Sequence, residues 1–241
     1  DASMVGSLGA SASASIGLVS PTLWLFGSLC SSASVGFYVQ VAHRIGAGEL
    51  VHARHILRQS FLSCLLFASA LSVIGILIYS RLPHWLGGGD DICHDASLYF
   101  FVFSLGIPFA QLNSLCSGML RCSGNMHIPS ILNILMCLLD VVFNYFLIFP
   151  SRSFGDWTIP GAGLGVVGAG LGTLFSFAIC SLIMCWFVCA RSKELNLLQD
   201  SGTFIPQRDT LKRAVRLSLP LAVEHIVLCG AQIMSTMIVA P

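Results

Sequence analysis

Apolar residues along this chain arrive in long unbroken runs rather than at alternate positions. Six of the runs approach or exceed the roughly 20 helical residues needed to cross a hydrocarbon core about 30 Å thick. They fall at 16–41, 61–79, 98–119, 128–149, 162–190 and 217–240. Each is too long and too weakly alternating for a barrel strand, and backbone groups in lipid must be satisfied within their own segment. The pattern therefore predicts an all-α membrane protein, a polytopic bundle of six transmembrane helices.

Composition sharpens this picture. Of the 241 residues 55% are apolar and 10% charged, against roughly a quarter charged in a soluble domain. A formal net charge of +1 offers no electrostatic footprint for nucleic acid. Ten cysteines might suggest a disulfide scaffold, but eight of them, from Cys30 to Cys229, lie inside the apolar runs and read as small hydrophobes. There is no CxxC, and Cys93, His94 and Asp95 form an isolated cluster without the spaced ligands of a zinc site. No metal site and no organic cofactor are expected.

Charge sets the orientation. Arg44, Arg54 and Arg58 follow the first run, Arg121 the third, and Arg191, Lys193, Arg208, Lys212, Arg213 and Arg216 the fifth. Only Arg81 and Arg152 lie between the other pairs of runs, beside Asp90, Asp91, Asp95 and Asp156. By the positive-inside rule the first set is cytoplasmic, which predicts a multi-pass protein of the cytoplasmic (inner) membrane. The most charged interval, 191–216, reads as a cytoplasmic linker between 1–190 and 217–241. The chain opens at Asp1 without an initiator Met and closes at Pro241 while still apolar, so flanking sequence is expected on both sides. DASMVGS at 1–7 also lies over STMIVAP at 235–241 with small residues nearly throughout, as in transporters built from two similar halves.

Carboxylates inside spans are the candidate chemistry, because an ionised acid at mid-bilayer costs about 3 kcal/mol even on lenient insertion scales. Asp140 sits centrally in 128–149, with Asn133 seven residues before it and Asn144 four after, so the three share one helical face. That stripe suits a hard cation such as Na⁺, or an acid that exchanges a proton; the other reading is hydrogen bonding between helices. Glu224, with Gln232 and Ser235 near the same face, is a second candidate, either functional or snorkelling to an interface. GLGVVG at 163–168 mimics a dinucleotide fingerprint, but no β-strand, βαβ unit or following acid is expected around it. Gly161 with Gly165 and Gly168 with Gly172 read as small-xxx-small helix-packing pairs, with Thr173 placed to lend its hydroxyl to the Asp140 face or simply to pack. No catalytic constellation and no P-loop are present, which excludes ATP hydrolysis within this sequence and leaves an ion gradient as the energy source.

These strings resemble the multidrug and toxic compound extrusion (MATE) family. DASMVGSLG at 1–9 is similar to the end of its first helix and QVAHRIGAGE at 40–49 to the end of its second. RCSGN at 121–125 with Pro129, then DVVFNYFLIF at 140–149, resemble the approach to its fifth helix and that helix. GVVGAGLGT at 165–173 and LSLPL at 217–221 resemble the starts of the sixth and seventh. The resemblance implies an exporter of two six-helix lobes that exchanges Na⁺ or H⁺ for small organic, often cationic, drugs, working as a monomer when complete. This chain then holds the N-lobe, from the end of helix one through helix six, and the first helix of the C-lobe. It also implies that Asp1, Asp140, Asn144 and Thr173 form the cation-coupling site, with Asn133, Glu224 and Gln232 as further substrate or ion contacts. Two departures stand out: some members place Asn before Asp in the fifth-helix pair, and Glu224 lies one turn ahead of the family's seventh-helix Glu, where Leu228 stands here. Rival expectations are a lipid-linked oligosaccharide flippase, whose cavity needs basic residues that these spans lack; an integral membrane enzyme, whose His or paired acids are not organised here; and a non-transporting scaffold.

Overall fold

Each apolar run becomes one long helix. The computed structural model describes residues 2–7, 9–154, 157–192, 194–197 and 205–239. A short α1 (Ala2–Gly6) leads into α2 (Ala10–Gly46) and α3 (Leu50–Ile78); a four-residue α4 (Leu82–Trp85) precedes α5 (Asp90–Cys122) and α6 (His127–Ile148). An antiparallel hairpin, β1 (Pro150–Phe154) and β2 (Trp157–Ala162), joins α6 to α7 (Gly165–Trp186), which ends in a π-helical turn at Phe187–Arg191. The last element is α8 (Arg208–Val239). Among the described residues, six helices are long and apolar enough to cross a membrane. At 37 residues α2 is about 55 Å long, well beyond the hydrocarbon core. Its water-facing turns carry no apolar signal, which is why the helices outrun the runs that predict them.

The centre of the bundle is α5, which packs on α2, α3 and α7; α6 packs chiefly on α7, and α8 on α2. Two apolar clusters fill the interior. One, around Val19, Phe26, Phe100, Ile107 and Ile148, has Phe26 edge-on to Phe100 with ring centroids 5.9 Å apart. The other, around Val41, Leu57, Leu115, Met119, Met184 and Leu195, occupies the end where the basic residues gather. Ile131, Leu138 and Val142 on α6, and Leu66 and Leu77 on α3, are exposed, as side chains solvated by lipid tails would be.

Three sequence expectations need correcting. Arg54 and Arg58, expected in a loop, lie inside α3 and are buried. Arg54 Nε donates to the carbonyl of Glu194 at 2.9 Å and Arg58 to that of Leu197 at 2.5 Å. Leu195 between those carbonyls is fully buried. Their charge is thus spent on backbone acceptors of the segment that follows α7, which holds that segment against α3. The apolar run from 61 could not reveal this, because the first turns of α3 are polar. Next, Gly161 lies in β2, and Gly163 and Gly165 have φ of 63° and 57°. These left-handed positions favour glycine and turn the chain from the hairpin into α7, so Gly161 and Gly165 are not a helix-packing pair. Finally, a strand does precede the 163–168 string, but it belongs to a two-stranded antiparallel hairpin and makes no βαβ unit.

Candidate functional site

The Gly168 and Gly172 pair behaves as expected, and it builds the site. A Cβ on Gly168 would stand 2.5 Å from the carbonyl oxygen of Leu147, and one on Gly172 would collide with Oδ1 of Asn144. Missing side chains on α7 therefore let the α6 backbone approach closely. Asn144, 1% exposed, is pressed into this contact. Asp140 lies one turn earlier on the same face, half-buried.

Across the seam Thr173 follows Gly172. Its Oγ1 is 3.1 Å from the carbonyl of Ala169, and its side chain, like that of Asn144, is within hydrogen-bonding reach of the Asp140 carboxylate. A hydroxyl has one proton, so Thr173 donates to Ala169 or to Asp140, and its oxygen lone pairs stay available to a cation. Among the described residues, no hydrogen-bond partner reaches Oδ1 of Asp140, which is buried. A carboxylate oxygen left in that condition is costly unless something fills the gap. The arrangement provides a full negative charge, an amide oxygen and a hydroxyl on two helices held together by glycines, a donor set for a hard cation or a proton.

The structure brings Asp140, Asn144 and Thr173 together across the α6–α7 seam. Asn133 is half-buried two turns before Asp140 on α6. Glu224 and Gln232 are exposed on α8, which packs against α2 rather than beside the Asp140 face. Asp1 lies outside the described residues; α1, directly after it, packs against both α6 and α7. Two side chains escaped the sequence reading. Tyr99, buried on α5, lies within electrostatic reach of Asp140 and is visible in sequence only as a tyrosine at the edge of an apolar run. Gln111, fully buried, donates to Ser34 Oγ at 2.9 Å and ties α5 to α2; an amide inside a span was its signal.

A sequence profile of the MatE family matches residues 1–146, which includes α1 to most of α6 and both Asp140 and Asn144. The chain belongs to the MatE family. Among curated relatives, this MatE chain is 26% identical over 230 residues to "Probable multidrug resistance protein NorM" of Thermotoga maritima, covering 94% of the chain and 47% of that protein. It is 25% identical over 231 residues to the multidrug resistance protein MdtK of Yersinia pestis, covering 92% of the chain and again 47% of the relative. The chain thus spans about half the length of the curated MatE relatives it matches. Among solved structures, it superposes on an inward-facing multidrug resistance MATE family transporter of the MOP superfamily with a TM-score of 0.82, at 23% identity, covering 95% of the chain and 50% of that transporter. An outward-facing MATE family structure gives 0.81 at 24% identity, covering 93% and 47%. These likenesses establish the fold of the bundle. With six apolar helices among the described residues and bacterial relatives of the same family, this is a multi-pass protein of the cytoplasmic membrane.

Proposed function

We propose that this chain is the cation-coupling half of a secondary active exporter, one that returns Na⁺ or H⁺ down its gradient while moving small organic, often cationic, drugs out of the cytoplasm. The observation that carries the proposal is the meeting of Asp140, Asn144 and Thr173 across the α6–α7 seam, with one carboxylate oxygen buried and, among the described residues, without a hydrogen-bond partner. The relatives' names speak of multidrug resistance, which supports the choice of substrate class. In this reading residues 1–190 form one lobe, 191–216 the linker and 217–241 the first helix of a second lobe, with the whole protein acting as a monomer in the lipid bilayer. No organic cofactor is invoked.

Transport by such a site needs a ligand that is gripped on one side of the membrane and released on the other. Asp140 supplies the charge. The choice between ions follows from the neutral oxygens: Na⁺ needs several oxygen ligands and would draw on Asn144 and Thr173, whereas a proton needs only the carboxylate. The test is efflux of ethidium from vesicles holding the intact protein, under a Na⁺ gradient with pH clamped and then under a pH gradient without Na⁺. One of the two is expected to drive efflux, and Thr173→Val is expected to weaken transport strongly under Na⁺ and little under H⁺. Efflux indifferent to both gradients would end the proposal.

A further inference from the structure

A cluster of thiols lies away from the Asp140 site, at the end of the bundle where the basic residues gather. Cys116 stands in the last two turns of α5 and is fully buried in the second apolar cluster. Cys185 is next to last in α7, and Cys189 falls in the π-helical turn that follows it. Both are half-buried. Cys185 Sγ and Cys189 Sγ are 3.9 Å apart, and Cys185 is also within hydrogen-bonding reach of Cys116.

Helix packing explains why these sulfurs meet. A Cβ on Gly170 of α7 would stand 3.2 Å from Val102 of α5, and one on Gly106 of α5 would stand 3.9 Å from Leu174 of α7. Val102 beside Gly170 and Gly106 beside Leu174, one turn later on both helices, mean that α5 and α7 run side by side in the same direction and register. About three turns further along both, Cys116 comes level with Met184 and Cys185. Met184, fully buried, joins Cys116 in the same cluster, and Cys185 packs against it. The contact lies between α5 and α7, so it does not involve α8 or anything that packs on α8.

The positive-inside rule puts this end of the bundle in the cytoplasm, where thiols rest reduced and a disulfide is a transient mark of oxidation. Two thiols compete for Cys185. Cys189 lies one turn away on the same helical segment, where Cβ atoms stand about 5–6 Å apart, but a disulfide holds them about 3.5–4.5 Å apart. Closing that pair would break the turn. Cys116 comes from another helix and carries no such constraint. We propose that Cys185 and Cys116 form a reversible disulfide when an organic hydroperoxide reaches them, stapling α5 to the end of α7. An apolar oxidant suits sulfurs set among apolar side chains. Cys185 reacts first, because Cys116 is fully buried: the peroxide O–O bond breaks, one oxygen goes to the Cys185 sulfur as a sulfenic acid, and the other leaves as an alcohol with the thiol proton. The Cys116 sulfur then attacks that of Cys185, the S–O bond breaks, and hydroxide departs with the Cys116 proton as water. Two thiols and one hydroperoxide thus give one disulfide, one alcohol and one water, and a reducing dithiol reverses the link by exchange. The staple sits where α7 passes through its π-helical turn into the segment that Arg54 and Arg58 hold, so oxidation ties the root of that segment to α5. None of this depends on the cation site.

The test treats the intact protein in membranes with cumene hydroperoxide, blocks the remaining thiols with N-ethylmaleimide and maps linked peptides by mass spectrometry, with and without dithiothreitol. A link between the peptides carrying Cys116 and Cys185 is expected, lost on reduction. Cys116→Ala and Cys185→Ala should each abolish it, whereas Cys189→Ala should leave it at the level of the unaltered protein. Protein unfolded in dodecyl sulfate before the hydroperoxide is added should show no preference for this pair. If Cys116→Ala proves unfolded, the peptide map of the unaltered protein carries the same decision. A Cys185 link to Cys189 in place of Cys116, loss of the link in Cys189→Ala, or sulfinic acid at Cys185 without any link would overturn the proposal. The same link formed as readily in unfolded protein would overturn it too, since the fold would then have no part in choosing the pair.

Discussion

Exchanging Asp140 for asparagine is expected to leave a folded, inserted protein that no longer couples efflux to a cation gradient. The two side chains have nearly the same shape, so the α6–α7 seam that Gly168 and Gly172 create is undisturbed. What disappears is a full negative charge. At an effective dielectric of about 20, a unit charge about 4 Å from a cation contributes on the order of 4 kcal/mol, so cation affinity should fall roughly a thousandfold. Stability moves the other way or not at all, because an ionised acid in mid-bilayer costs about 3 kcal/mol to hold there. Ethidium efflux from vesicles, read beside the thermal unfolding midpoint in detergent, separates this from a structural role. A purely structural Asp140 predicts the opposite pattern, with efflux surviving in proportion to the folded protein that remains.

Adding a single methyl group at Gly172 should do comparable damage by geometry alone. In Gly172→Ala the new Cβ collides with Oδ1 of Asn144 and lies 3.0 Å from its Cγ and 3.2 Å from its backbone nitrogen. Asn144 is 1% exposed and has no open space to swing into, so the helices must part or the amide must leave its place beside Asp140. Overpacking of this sort costs about 1–3 kcal/mol. We expect a lowered unfolding midpoint together with loss of cation-driven efflux beyond what the lost protein explains. Gly106→Ala on α5 is the control: its Cβ would meet only Leu174, no nearer than 3.9 Å, and both readouts should stay near those of the unaltered protein. Normal coupling in Gly172→Ala would mean that Asn144 is no part of the site.

Much of this was legible in the sequence because lipid imposes a simple rule. A run of apolar residues long enough to cross must be a helix, and all six runs are. That Asp140 and Asn144 share a face was equally legible, since residues four apart in a helix do so. The places where the reading failed lie outside the hydrocarbon, where that rule does not operate. Helix α3 starts at Leu50, yet its polar first turns look like loop until Arg54 and Arg58 are seen gripping backbone carbonyls. The β1–β2 hairpin occupies a stretch broken by Pro150, Gly155, Pro160 and Gly161, a composition that signals turns without distinguishing strand from coil. How Glu224 and Gln232 are used was not legible either: each is exposed on α8, and helical periodicity says nothing of what lies opposite.

The claim on which the transport account rests is that the Asp140 carboxyl, within the bilayer, takes up and releases the coupling cation. Its most direct test is labelling the intact protein in membranes with dicyclohexylcarbodiimide, an apolar reagent that modifies protonated carboxyl groups, and locating the adduct by mass spectrometry. The account predicts modification at Asp140 that falls as pH rises, and falls further with added Na⁺ if Na⁺ is the coupling ion. An unmodified Asp140, or one labelled to the same extent at every pH and Na⁺ concentration, would contradict it.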